Sequence, residues 1–190
     1  WDDLPAPMYN KAFYESCDAL LGISKQTVNI NKMVLGEKTK GKVIDYVPHG
    51  LNPKMFFPID KKSEEFIKFK NEATKGREKD FILFFNSRNI RRKSIPDALL
   101  AWKYFIDSLP KEKADKCLFI LHTELTSDHG TDLTAVHDYI FGEDNNTIIF
   151  STQKLSTVQM NYFYNLADAQ ILLSSAEGWG LSLTEALLTG

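Results

Sequence analysis

Two short stretches of this chain gather the side chains that could handle an anion. The first, Asn86-Ser87-Arg88-Asn89-Ile90-Arg91-Arg92-Lys93-Ser94, places four cations (Arg88, Arg91, Arg92 and Lys93) within six positions. It lies between an apolar run, Phe81–Phe85, and a helical pattern that opens at Ile95. A helix start presents unpaired N–H groups and the positive end of its dipole, and Arg or Lys beside it completes a cradle for phosphate. The same cations on a merely solvated loop would do little. The second stretch runs from Ser174 to Glu185 and sets two glycines around a tryptophan, Gly178-Trp179-Gly180. Glycines there admit a ligand close to the backbone or permit a positive φ. Leu183 stands where a dinucleotide fingerprint has its third glycine, which argues against NAD. Glu177 suits sugar hydroxyls, because a carboxylate accepts paired hydrogen bonds more strongly than a neutral acceptor does. Glu185 has a purely structural explanation as well: Ser182 and Glu185 spell an S-x-x-E capping box.

These loops need a frame. Continuous apolar runs at Ala19–Ile23, Val43–Val47, Phe81–Phe85, Cys117–Leu121, Thr147–Phe150 and Ala169–Leu173 read as parallel strands buried on both faces. Helical patterns alternate with them. Ser94 precedes Ile95–Asp107, with Pro96 in the first turn and Ile95, Ala98, Leu99, Trp102, Phe105 and Ile106 on one face. Ser156 and Gln159 form a capping box before a helix, and Asp132 opens another that closes at Gly142. Strand–helix alternation gives βαβ units and a parallel sheet covered on both sides. In such sheets ligands bind beyond the carboxyl ends of the strands, where both loops lie. The stretch from Pro53 to Asp80 holds two of the seven prolines and a dense run of charge. It reads as a linker carrying one mostly solvated helix near Ser63–Asn71. Trp102, Phe105, Tyr162 and Phe163 fall at helical spacings and read as core.

Composition narrows the function classes. The 190 residues are 43% hydrophobic and 25% charged, the profile of a folded globular protein. No apolar run has the ~20 residues of a membrane helix, and 23 basic against 25 acidic residues leave no global field for nucleic acid. Cys17 and Cys117 do not make a disulfide framework and point to a reducing, cytoplasmic setting. His49, His122, His129 and His137 fit no zinc spacing, so no metal site is expected. His122, at a strand end, reads as a hydrogen-bonded core residue or a pocket wall. The loop Thr123–Thr131 reads as polar and mobile.

The segment Glu177–Gly190, EGWGLSLTEALLTG, resembles the E-x7-E signature of retaining glycosyltransferases of the GT-B fold. Three further stretches resemble the same family in the same order: CDALLGIS, YVPHGLNPKMFFP, and FFNSRNIRRKSIPDALLAW with Arg88 and Lys93 at the family's spacing. With NLADAQILLSSAEGWG, the similarity runs from about Cys17 to Gly190. Ser87 and Ser94 stand where the family usually has glycine, and Trp179 replaces the commoner phenylalanine.

The resemblance implies an α/β fold: residues 1–52 as the tail of an N-terminal, acceptor-side domain, 53–80 as linker, and 81–190 as an incomplete, Rossmann-like nucleotide-sugar-binding domain. It implies transfer of a hexose from a UDP- or GDP-sugar to a carbohydrate, lipid or protein acceptor, with retention. Arg88 and Lys93 would grip the diphosphate, the work a metal does elsewhere. Glu177, with the backbone of Gly178, Trp179, Gly180 and Leu181, would face the sugar, and Glu185 would bind the ribose. No cofactor is implied beyond the donor itself. The chain starts without Met and stops at a glycine, so a fragment is expected, with negligible turnover by itself. The alternatives are a nucleotide-sugar epimerase on the same fold and a non-enzymatic α/β interaction module in which Glu185 only caps its helix.

Overall fold

A computed structural model describes residues 6–142 and 145–190. The chain divides into two compact units, Trp1–Gly50 and Leu51–Gly190. In the first, β1 (Ala19–Gly22) and β2 (Val43–Tyr46) pair in parallel through the crossover helix α2 (Lys25–Leu35), and α1 (Lys11–Ser16) precedes them. The Ser24 hydroxyl caps α2 by accepting from the Thr27 N–H at 3.0 Å. Gly22 allows close approach of the helix, since a Cβ would stand 2.7 Å from Val28 Cγ2 and 3.1 Å from Val28 N.

The second unit is a four-stranded parallel sheet in the order β5-β4-β3-β6, built from β3 (Phe81–Asn86), β4 (Cys117–His122), β5 (Ile148–Ser151) and the short β6 (Ala169–Gln170). The strands begin and end within a residue or two of the sequence reading, except the last, which stops at Gln170 rather than Leu173. Alternation along β3 and β4 feeds two cores. Ile82, Phe84, Leu118 and Ile120 pack against α3 (Glu64–Ala73) and α7 (Thr157–Leu166); Phe85, Phe119 and Leu121 pack against α4 (Ile95–Asp107) and α6 (Leu133–Phe141). Trp102 and Phe163 are buried, whereas Phe105 keeps 38% exposure and Tyr162 is half-buried.

The helix expected in the 53–80 segment forms as α3 and is mostly exposed, and the segment is also anchored to the sheet. Phe56 and Phe66 are 8% and 3% exposed and belong to the α3–α7 core. Two asparagines of α7 reach the extended backbone: Asn161 Oδ1 accepts from Phe57 N at 3.1 Å and Asn165 Oδ1 from Ile59 N at 2.7 Å. Side-chain amides thus replace a strand partner for this chain, which local charge density could not reveal.

Chain order fixes where a ligand would enter. From β3 the chain steps outward to β4 and β5 and then returns across β3 to β6, on the other side. The α4 connection lies on one face and the α7 connection on the other. The loops after β3 and β6 therefore diverge around a topological switch point at the carboxyl edge. Asn86, His122 and Ser151 stand in register along that edge.

Candidate functional site

The loop after β3 makes a one-turn 3-10 helix, Arg91–Lys93, and enters α4 through Ser94. Ser94, expected just before α4, stands at its N-cap position without a side-chain cap hydrogen bond, and its backbone is left-handed, φ 48° and ψ 43°. This is the position at which the resembled family carries glycine, and the geometry explains why, since a side chain there costs about 1–2 kcal/mol.

Asn89, 1% exposed, anchors the loop from below. Its Nδ2 donates to the carbonyls of Leu125 and Thr131 at 3.3 and 2.6 Å, and its Oδ1 accepts from Thr131 N at 3.1 Å. Arg91 N donates to His129 O at 3.0 Å. A Cβ on Gly130 would lie 2.2 Å from Asn89 Oδ1 and 2.4 Å from its carbonyl oxygen, so only glycine fits. The 123–131 loop, expected to be mobile, is thereby tied to the basic loop.

The loop after β6 meets the same segment. The Arg92 carbonyl accepts from Ser175 N at 2.9 Å and Ser174 Oγ at 3.0 Å. Glu177 completes the junction: one carboxylate oxygen pairs with Lys93 Nζ and the other lies 3.2 Å from Arg92 Nη1. Lys93 is 9% exposed, an unusual burial for an ammonium that this pairing makes tolerable. Partial burial pushes the Glu177 carboxyl up, but hydrogen bonding from Lys93, Ser174 and Arg92 outweighs it and holds the group below the ordinary carboxylate range. An ammonium has three donors, so Lys93 can keep Glu177 and still offer N–H groups to a phosphate.

Gly180, at φ 83°, turns the chain into α8 (Leu181–Leu187). Trp179 is half-buried and its Nε1 donates to Thr184 Oγ1 at 2.9 Å, while Gly178 and Leu181 remain exposed. The S-x-x-E capping box does not form. The helix starts at Leu181 with Gly180 as its cap, no side chain caps it, and Ser182 is already inside. Glu185 instead accepts a hydrogen bond from the Tyr164 hydroxyl, which accepts one from Asn86 Nδ2 at 2.8 Å. Burial first, then the bond to Glu185, raises the Tyr164 phenol far above its usual value, so it stays a neutral donor.

Arg88 is exposed and makes no ion pair with a described residue. It lines a neighbouring cavity of about 330 Å³ with Asn86, Ser87, His122, Thr123 and Lys154 among its walls. His122 Nδ1 lies 3.1 Å from Ser151 Oγ; burial lowers its basicity, and hydrogen bonding with the Ser151 backbone offsets this in part. The structure therefore brings Lys93 and Glu177 into contact and joins Glu185 to the end of β3, while Arg88 sits on the same loop facing the adjacent cavity. Asn89, Asn86 and Tyr164 were not singled out from sequence, and Arg92 was noted only as one of four cations in the loop. A buried tyrosine hydroxyl nearly always has a partner, which was the available signal for Tyr164. Among the described residues no group of three or more His, Cys, Asp or Glu could hold a metal, and no helix is long and apolar enough to cross a membrane.

No protein-family model matches the chain, and no curated protein does. Solved structures do. Sucrose-phosphate synthase from Thermosynechococcus elongatus superposes with a TM-score of 0.67 over 95% of this chain and 41% of its own, at 19% identity. The E. coli trehalose-6-phosphate protein bound with UDP-2-fluoro glucose gives 0.73 over 99% and 47%, at 16% identity. The α,α-trehalose 6-phosphate synthase from Burkholderia multivorans gives 0.72 over 94% and 44%, at 11% identity. The chain thus spans less than half the length of these proteins, and at such identities the likeness is one of fold. That fold is GT-B, and the parallel sheet whose carboxyl edge carries these residues corresponds to its Rossmann-like domain.

Proposed function

We propose that this chain binds a nucleoside-diphosphate hexose at the β3–β6 switch point and belongs to a glycosyltransferase that transfers the hexose to an acceptor hydroxyl with retention. The observation that carries the reading is the buried Lys93 ammonium paired with Glu177 between two loops of opposite connection, on the same loop as an exposed cation, Arg88. The diphosphate leaving group gains negative charge as the bond between its oxygen and the anomeric carbon of the hexose breaks, while that carbon forms a bond to the acceptor oxygen, which gives up its proton. Fixed cations at that place stabilise the developing charge without reorganising, usually the largest catalytic contribution. Lys93 and Arg88 supply those cations, and no step of the proposal requires a metal ion. Glu177, oriented by Lys93 and Arg92, accepts from hydroxyls of the sugar alongside the backbone of Gly178 to Leu181. Glu185 accepts from the ribose.

A fold neighbour bound with UDP-2-fluoro glucose makes UDP the first probe. Calorimetry with UDP should show binding that Lys93→Ala weakens by about 2–3 kcal/mol, the worth of a hydrogen bond to a charged group once its buried partner is left behind. Arg88→Ala, at an exposed position, should weaken it less. Unchanged affinity in both variants removes the clamp from the reading.

A further inference from the structure

The glutamate on α8 is held by neutral groups. Its Oε2 accepts from the Tyr164 hydroxyl, that oxygen accepts from Asn86 Nδ2, and Asn86 is the last residue of β3. The Tyr164 ring is 4% exposed and wedged edge-on against Phe84 and Phe56, with centroids 5.6 and 5.8 Å apart. No ion pair joins Glu185 to a described cation. The carboxylate is thus aimed but not neutralised. Only Oε2 is engaged by the phenol, so the carboxylate retains most of its acceptor capacity, which suits hydroxyl donors. The loop beginning one residue beyond Asn86 carries the cations assigned to phosphate, so the network that holds Glu185 ends where that loop begins.

We propose that Tyr164 and Asn86 are positioning residues that aim the Glu185 carboxylate at the vicinal diol of a ribose, and thereby set a preference for ribonucleotides over deoxyribonucleotides. This rests on the nucleotide-binding reading above. The phenol fills one carboxylate oxygen and fixes its plane; the other oxygen is left to face the 2′ and 3′ hydroxyls. Removing the phenol frees the carboxylate to rotate and blunts the preference without touching the phosphate cations.

The test is calorimetry of the full chain with UDP and with 2′-deoxy-UDP. Wild type should prefer UDP on the order of tenfold, the size of one hydrogen bond to a charged acceptor. Tyr164→Phe keeps the ring and its packing. It should bring the preference below about threefold while affinity for 2′-deoxy-UDP stays within about twofold of wild type. Asn86→Ala leaves the phenol but unties it, and should shift the ratio in the same direction by a smaller factor; it decides the matter if Tyr164→Phe does not fold. A ratio unchanged in the variant, with Glu185→Gln abolishing it, overturns the positioning role and leaves nucleotide binding standing. Equal weakening toward both nucleotides overturns it too, as a general structural effect. If wild type binds UDP without preferring it, the diol assignment of Glu185 fails and this proposal with it; if wild type does not bind UDP, the nucleotide reading itself fails.

Discussion

Glu177 and Glu185 are separated by seven residues and held in opposite ways. Glu177 lies on a loop against two cations, Lys93 and Arg92, with its side chain 23% exposed. Glu185 lies on a helix against a buried phenol and a backbone-anchored amide. The first region is electrostatic, responsive to pH and to competing anions; the second is geometric, set by packing. Both lead back to the end of β3. The left-handed Gly180 makes the difference, because it ends the loop that leaves Glu177 with the cations and starts the helix that returns Glu185 toward Tyr164.

The largest expected effect falls on the frame of the cationic region. Gly130→Ala drives a methyl into Asn89, whose side chain and carbonyl lie 2.2 and 2.4 Å from the new atom. Chemical denaturation should show a loss of about 1–3 kcal/mol, the usual cost of overpacking a site that cannot yield. A variant as stable as wild type would mean that Asn89 does not rigidly tie the two loops. Acid probes the same region more gently. Because the Glu177 carboxyl sits below its ordinary range when folded, its pairing contributes stability that is present above the unfolded value of about 4.3. That contribution is lost as pH falls through the lower folded value. Carboxyl-resolved NMR titration should place Glu177 below the ordinary glutamate range, and Lys93→Ala should move it upward. No movement in that variant would show that Lys93 is not what holds the charge.

How much of this was legible depends on how local the cause is. The β3 and β4 strands, the Ser156–Gln159 capping box and the Asp132 and Gly142 ends of α6 were readable because neighbouring residues decide them. The meeting of the basic and glycine loops was readable because strand ends and residue types sufficed to place them on one edge. What sequence missed was set by partners far along the chain. The 53–80 segment joins the core through Asn161 and Asn165, over 100 residues away. Glu185 finds Tyr164 across 21 residues and Asn89 finds Thr131 across 42. Ser94 looked like a helix cap by type, yet tertiary closure of the loop forces it left-handed.

That strained serine gives a smaller prediction of opposite sign. Ser94→Gly relieves a conformation that disfavours any Cβ, at the cost of a more flexible unfolded chain. A net gain of about 0.5–1 kcal/mol in thermal or chemical unfolding is expected. A loss instead would show that the serine hydroxyl contributes something its geometry does not display.

The smallest effect discriminates most sharply between the two acidic regions. The sequence contains two apparent capping boxes, Ser156–Gln159 and Ser182–Glu185, and only the first forms: Ser156 Oγ accepts from Gln159 N at 3.3 Å while Gln159 Oε1 accepts from Ser156 N at 2.9 Å. Ser156→Ala should therefore cost about 1 kcal/mol. Ser182 is the second residue of its helix, past the cap, so Ser182→Ala should change stability by less than about 0.5 kcal/mol, as surface substitutions do. Unfolding both variants side by side puts Glu185 to the question. Equal losses would return that carboxylate to helix capping and leave only the cation-held Glu177 as a candidate for ligand contact; a silent Ser182→Ala leaves Glu185 bound to Tyr164 and available at the carboxyl edge of the sheet.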